Sequence, residues 1–135
     1  MPLEINPQTR ITMLDPGFVT VMNNVLKDTP VNSSEIIAIN FRDPTYGAEN
    51  GGYHPVEIHV DSEGEILCIT DFAYFGIPPM VELGIELDWS FEYDQFRQFD
   101  NMYDLECGRQ LLGLYTRNFT AYYRSGVYQV EVTTL

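Results

Sequence analysis

The chain has 135 residues, of which 44% are hydrophobic and 13% aromatic, and a formal net charge of −13. This composition predicts one folded domain over residues 1–135 and excludes a disordered acidic tail. The charge argues against nucleic-acid and membrane partners, because phosphates and anionic lipids must be neutralised by Lys or Arg. The first residues lack the apolar stretch of a secretory signal, which predicts a cytoplasmic protein.

The negative charge is concentrated in the middle of the chain. Residues 61–106 contain twelve acids and a single base, Arg97, whereas residues 107–135 contain one acid and three bases. A surface of this sign favours basic partners, or serves only to keep the protein in solution.

The first elements are predicted to be a helix, a strand and a β-hairpin. Asp15-Pro16 is typical of a helix start, and the helix is predicted to end before Thr29-Pro30. An isoleucine-rich strand is predicted over residues 35–42. After a long loop over residues 43–52, alternation on both sides of Ser62-Glu63-Gly64 predicts a hairpin.

The most regular pattern covers residues 80–94, MVELGIELDWSFEYD. Odd positions are apolar and nearly all even positions are polar or acidic, which predicts a strand with one apolar face and one carboxylate face. A straight strand would be roughly 50 Å long in a globule roughly 35–40 Å across, so a bend or break is predicted at Gly84. The carboxylate face is the predicted partner-binding site, formed by Glu82, Glu86, Asp88, Glu92 and Asp94.

The remaining segments complete an α+β plan. A short strand is predicted at residues 95–99, the longest helix from about Asp104 to Ser125 with Gly126 as its cap, and a last strand at residues 127–132. This order predicts an antiparallel β-sheet with an N-terminal and a long C-terminal helix packed on one face.

No motif predicts a catalytic, metal or cofactor site. The segment of residues 61–65 lacks the ligand spacing of a calcium-binding loop. His54 and His59 have opposite parity on a strand and are interpreted as surface or loop residues rather than zinc ligands. Nucleophile motifs and phosphate-binding glycine patterns are absent from the sequence. We therefore expect a non-enzymatic protein without a cofactor.

Several functions remain open for the acidic face. It is either a docking surface for a basic protein or a solvated exterior that blocks edge pairing of the sheet. A DNA mimic that inhibits a DNA-binding enzyme is an alternative of a different class, because carboxylates can imitate phosphates. An enzyme or metal protein that uses buried carboxylates is the third.

Two segments of the chain resemble a known family. Ile69-Thr70-Asp71-Phe72-Ala73-Tyr74 and the run LLGLYTRNFTAYYRSGVYQVEV are similar to a family of small bacterial proteins that is classed as a domain of unknown function. That family is frequent in gammaproteobacteria, often within genomic islands. The resemblance covers most of the chain from about Glu35 onward, and its motifs are structural rather than chemical.

The family is in turn similar in fold to the mitochondrial acidic matrix proteins, whose human member binds the globular heads of complement's first component. This second resemblance implies a non-enzymatic homo-oligomer that binds basic protein surfaces, including complement. One departure is the strand predicted after the long helix, where the mitochondrial proteins are expected to end helically. Their trimeric assembly and partner residues are therefore not carried over.

Overall fold

The structure is a computed structural model that describes residues 3–6, 11–30 and 35–135. In this part of the chain, seven strands form one antiparallel sheet. They are β1 (Ile37–Arg42), β2 (Val56–Val60), β3 (Ile66–Ile77), β4 (Met80–Ser90), β5 (Gln95–Gln98), β6 (Asn101–Asp104) and β7 (Gln129–Thr134). The strand order is β6-β5-β4-β3-β2-β1-β7. The α-helices are α1 (Pro16–Leu26) and α2 (Arg109–Arg124), with 3-10 turns at Ile11–Met13 and Leu105–Gly108.

Helix α1 begins as its sequence predicts. The Asp15 side chain caps it by accepting a 3.0 Å hydrogen bond from the Gly17 N–H, and Pro16 supplies the first helical residue. Its buried side chains, among them Phe18 and Met22, face the sheet and α2. The predicted N-terminal helix is confirmed.

One face of the sheet carries the hydrophobic core. Ile39, Ile58, Ile69 and Trp89 follow one another across four neighbouring strands, and each is 0% exposed. Phe119 of α2 packs on this face. The helices therefore bury the apolar face, and the predicted α+β fold is confirmed.

The opposite face of the sheet carries polar side chains. Its central row runs from Asn40 through Glu57, Thr70 and Asp88 to Arg97. Neither described α-helix covers this row, but neighbouring side chains of the sheet leave its members half-buried and Thr70 only 9% exposed.

The long alternating strand is shorter than predicted. It ends at Ser90, because the Phe91 and Glu92 N–H groups both donate to the Leu67 carbonyl and the chain turns. The turn places Asp94 in a left-handed conformation with φ of 57° before β5 begins.

The irregularity in β4 lies at Glu86 and not at Gly84. Asp71 pairs with Leu87 and Phe72 pairs with Ile85, so Glu86 is an extra residue in β4, a β-bulge. Gly84 keeps regular pairing with Ala73. Its missing Cβ serves packing instead, since an added carbon would lie 3.0 Å from the Phe75 ring.

The segment that precedes the long helix also differs from the prediction. Residues 101–104 form strand β6, which was not predicted because four residues show no usable alternation. The predicted start of the helix near Asp104 is a 3-10 turn, and α2 itself begins at Arg109. The last strand is confirmed with its bounds shifted by two residues, and it pairs with β1.

In the described residues, neither helix combines the length and apolarity needed to cross a membrane.

Replacing Trp89 with Phe is predicted to lower the free energy of unfolding by about 1–3 kcal/mol. The indole N–H donates a 3.0 Å hydrogen bond to the Gly108 carbonyl. Phe cannot donate this buried hydrogen bond, and its smaller ring leaves a cavity where the fully buried indole packed. Urea denaturation measures the effect. The control is Leu114→Ala on α2, where a 55% exposed side chain should change stability by no more than about 0.5 kcal/mol. A Trp89→Phe variant as stable as the wild type would contradict the prediction.

Candidate functional site

The five predicted site residues do not share one face. Glu82 lies in the part of β4 that pairs only with β3, and Asp88 lies on the polar face of the sheet. Glu92 and Asp94 lie in the turn after β4. Glu86 is carried by the β-bulge to the helix side, where it meets Asp71 and His54. The predicted continuous carboxylate face is therefore wrong.

Asp88 is the one predicted carboxylate in the central polar row. Its Oδ1 accepts a 2.6 Å hydrogen bond from the Thr70 hydroxyl of the neighbouring strand. Partial burial raises the pKa of this carboxyl, while the bond to Thr70 lowers it. Asp88 is therefore held in the sheet by a local partner.

The order and direction of the strands place a further set of carboxylates, which shares only Glu92 and Asp94 with the predicted five-residue face, at one end of the sheet. The β2–β3 turn, the β4–β5 turn, the end of β6 and the following 3-10 turn all lie there. We call this set the acidic end, and it consists of Asp61, Glu63, Glu65, Glu92, Asp94, Asp104 and Glu106. Arg109 also lies there, and its Nε is 2.7 Å from Glu106 Oε1. This exposed pair offsets little of the negative charge.

The acidic end contains a concave surface. A cavity of about 460 Å³ is lined by three of its carboxylates together with apolar and polar neighbours. We call it the acidic groove, and its lining residues are Thr12, Met13, Asp94, Asp104, Leu105, Glu106 and Arg109. Met13 and Leu105 are 4% and 1% exposed, so the lining combines carboxylates with apolar core residues.

A second cluster lies on the helix side of the sheet, near the end opposite the acidic end. His54 Nδ1 is 3.2 Å from Asp71 Oδ2 and 3.0 Å from Glu86 Oε2. We call these three side chains the His54 cluster. The exposed fraction of the side chain is 37% for His54, 4% for Asp71 and 26% for Glu86. Asp71 is therefore the buried member of the cluster and His54 the most accessible one.

Long-range contacts hold the His54 cluster in place. The Tyr115 hydroxyl of α2 donates a 2.8 Å hydrogen bond to Asp71 Oδ1, which leaves Oδ2 facing His54. The loop that carries His54 is closed by Asp43, whose side chain accepts hydrogen bonds from the Thr45 hydroxyl at 2.7 Å and the Tyr53 N–H at 3.1 Å.

The three charges of the His54 cluster change one another's protonation. The hydrogen bond to Asp71 raises the pKa of His54 above its ordinary value, against the opposing effect of burial. Burial, followed by the nearby Asp71 carboxylate, raises the pKa of Glu86. The Asp71 carboxylate contributes to both pKa shifts, as the largest cause for His54 and as the second cause, after burial, for Glu86.

The His54 cluster opens into a cavity of about 350 Å³ between the sheet, the loop and α2. His54 and Asp71 line one part of it, and the other walls are largely aromatic. We call it the tyrosine cavity after its tyrosines, Tyr53, Tyr115, Tyr122 and Tyr128. A charged cluster beside an aromatic cavity of this size is suited to hold a small polar or charged ligand.

The sequence did not reveal the His54 cluster. The sequence predicts His54 to be a surface or loop residue, and Asp71 belongs only to a family motif. Glu86 is predicted to lie on the opposite face. One signal was available, since Asp71 interrupts an otherwise apolar strand, and a buried carboxylate needs partners.

Comparison with known proteins identifies the family. A family profile described as "Protein of unknown function (DUF2787)" matches residues 16–133, and the chain belongs to this family. Comparison with curated proteins gave no significant match.

Solved structures confirm the fold. The chain is similar to a hypothetical protein of the Vibrio cholerae VSP-II pathogenicity island, with a TM-score of 0.75, 30% identity and coverage of 89% and 93% of the two chains. It is also similar to a hypothetical protein of the V. cholerae VPI-2 island, with a TM-score of 0.74, 31% identity and coverage of 89% and 94%. The second structure is described as sharing structural homology with the human P32 protein, the mitochondrial acidic matrix protein.

Acid is predicted to loosen the loop that carries His54. Hydrogen bonds from Thr45 and Tyr53 lower the pKa of Asp43, so the stability that it contributes is present above the unfolded pKa of about 3.9 and is lost as pH falls through the lower folded value. The amide NMR shifts of Thr45 and Tyr53 should titrate together below pH of about 3.9. Asp43→Asn should abolish this titration, and its persistence in that variant would contradict the assignment.

Proposed function

We propose that this member of the DUF2787 family is a non-enzymatic interaction module that binds basic protein surfaces through its acidic end. The observation that carries the proposal is topological. Successive connections of one antiparallel sheet, each containing carboxylates, meet at the same end. The net charge of −13 extends the negative potential beyond this end and favours encounter with basic proteins.

Within the acidic end, the acidic groove is the proposed binding site for a single basic side chain of the partner. A Lys or Arg side chain has an apolar stem and a charged head, so it needs an apolar floor beside carboxylates. The groove combines both features, with Met13 and Leu105 beside Asp94, Asp104 and Glu106. This combination supports a basic side chain as the occupant of the groove.

The expected affinity is modest and depends on salt. An exposed ion pair contributes about 0–1 kcal/mol, so several basic side chains must bind together. Charge complementarity mainly increases the association rate and is screened at physiological ionic strength. These properties suit a partner with a broad basic surface rather than one with a single lysine.

The DNA-mimic alternative has less support. A mimic needs carboxylates spaced like phosphates along an extended surface, whereas the acidic end is formed by several short turns at one end of the sheet. Competition with duplex DNA distinguishes it from the binding of a basic protein.

Neutralising the acidic groove is predicted to weaken binding of a lysine-rich peptide by about tenfold, or 1.4 kcal/mol. The variant is Asp94→Asn, Asp104→Asn, Glu106→Gln, measured by fluorescence anisotropy at about 50 mM and about 150 mM salt. The control removes the same charge elsewhere, with Glu49→Gln, Glu82→Gln, Glu131→Gln, and should change affinity less than about twofold. A second probe is the complement globular head, which the family resemblance implies.

Equal weakening of peptide binding by the two variants would mean that net charge alone attracts the peptide, and would overturn a located site. The proposal would also be overturned if, at low salt, the wild type bound neither the lysine-rich peptide nor the complement globular head. Displacement of duplex DNA from a DNA-binding enzyme, unaffected by the groove substitutions, would favour the mimic.

A further inference from the structure

The spacing of the ligand atoms in the His54 cluster suits a small metal ion. Metal–ligand bonds of about 2.1 Å at right angles place two ligand atoms about 3.0 Å apart, and tetrahedral bonds place them about 3.4 Å apart. His54 Nδ1 lies 3.0 Å and 3.2 Å from its two carboxylate neighbours, and all three ligand atoms lie within 4.8 Å of one another. An ammonium ion with hydrogen bonds of about 2.8 Å would need oxygens about 4.6 Å apart. The cluster is therefore too tight around its histidine for a lysine head group.

The Glu86 carboxylate supplies a second, independent observation. Its Oε2 atom is buried, and among the described residues no donor reaches it with well-formed hydrogen-bond geometry. The 3.0 Å contact with His54 Nδ1 is an ion-pair distance without hydrogen-bond geometry. The single proton on Nδ1 cannot point at both Asp71 and Glu86. Glu86 Oε2, which is shielded from water, therefore lacks a well-aligned donor. A cation between the three groups would satisfy it.

The surroundings of the cluster provide access and orientation. His54 and Asp71 line the tyrosine cavity, which offers space for the waters or ligand that complete a metal's coordination. The Tyr115 hydroxyl binds Asp71 Oδ1, so Oδ2 is turned toward the other two ligands. Tyr115 is therefore a positioning residue, equivalent to the hydrogen-bond partners that orient ligands in metal sites.

We propose that His54 Nδ1, Asp71 Oδ2 and the Glu86 carboxylate bind a divalent first-row transition-metal ion, with open coordination positions directed into the tyrosine cavity. One imidazole with two carboxylates suits Zn²⁺ or Mn²⁺. Ca²⁺ is disfavoured, because it binds six to eight oxygens at the longer distance of 2.3–2.6 Å. The site is separate from the acidic end, so this inference does not depend on the proposed function.

The test is isothermal titration calorimetry of the chelator-treated full chain with Mn²⁺ and Zn²⁺, and with Ca²⁺ for comparison. The wild type should bind one Mn²⁺ ion and prefer it to Ca²⁺. Glu86→Gln and His54→Gln should each weaken Mn²⁺ binding by more than about tenfold, and Tyr115→Phe by about tenfold through misorientation of Asp71. The matched control is Glu82→Gln, which removes the same charge from the same strand and should leave the affinity within about twofold.

Two results would overturn the metal site. One is the absence of Mn²⁺ and Zn²⁺ binding to a wild-type chain shown to be folded by circular dichroism. The other is equal weakening by Glu86→Gln and Glu82→Gln, which would indicate diffuse attraction by the acidic surface. The acidic-groove triple variant separates the two proposals, because it should bind the lysine-rich peptide about tenfold more weakly and bind the metal as the wild type does.

Discussion

A single extra residue in β4 decides which face of the sheet the Glu86 carboxylate occupies. Without the bulge, Glu86 and Asp88 would share one face of the sheet, with roughly 7 Å between them. The extra residue moves Glu86 to the helix side, beside the buried Asp71. Asp88 remains on the polar face with Thr70 as its partner. The tyrosine cavity consequently has two neighbouring carboxylates beside it, and their repulsion requires a proton, the His54 imidazolium or a bound cation.

The acidic surface and the His54 cluster follow from different kinds of constraint. The acidic end needs only an antiparallel topology, since such a sheet returns alternate turns to the same end. Its side chains are mostly exposed and individually weak in their interactions. The His54 cluster needs three elements held at fixed distances by Asp43 and Tyr115. A salt-sensitive contact with a basic protein suits the first arrangement, and selective binding of one small ion suits the second.

Local signals in the sequence predicted much of the fold and little of the His54 cluster. The Asp15 cap, the first hairpin and the long helix depend on neighbouring residues, and all are present. Alternation identified β4 but could not show the bulge, because strand register depends on the partner strand. The meeting of Asp71 with Tyr115 joins residues 44 positions apart, which no local pattern encodes. The prediction for Glu86 was wrong for this reason, while Glu92 and Asp94 proved to belong to turns.

Paramagnetic NMR with Mn²⁺ tests the central claim most directly, namely that the bulge creates a coordination site distinct from the acidic surface. Substoichiometric Mn²⁺ is added to the labelled full chain, and amide line broadening is mapped along the sequence. Broadening is predicted to be strongest around His54, Asp71 and Glu86, and weak at Glu92 and Asp104. Broadening that is strongest at the acidic end, with the amides around Glu86 unaffected, would contradict this claim.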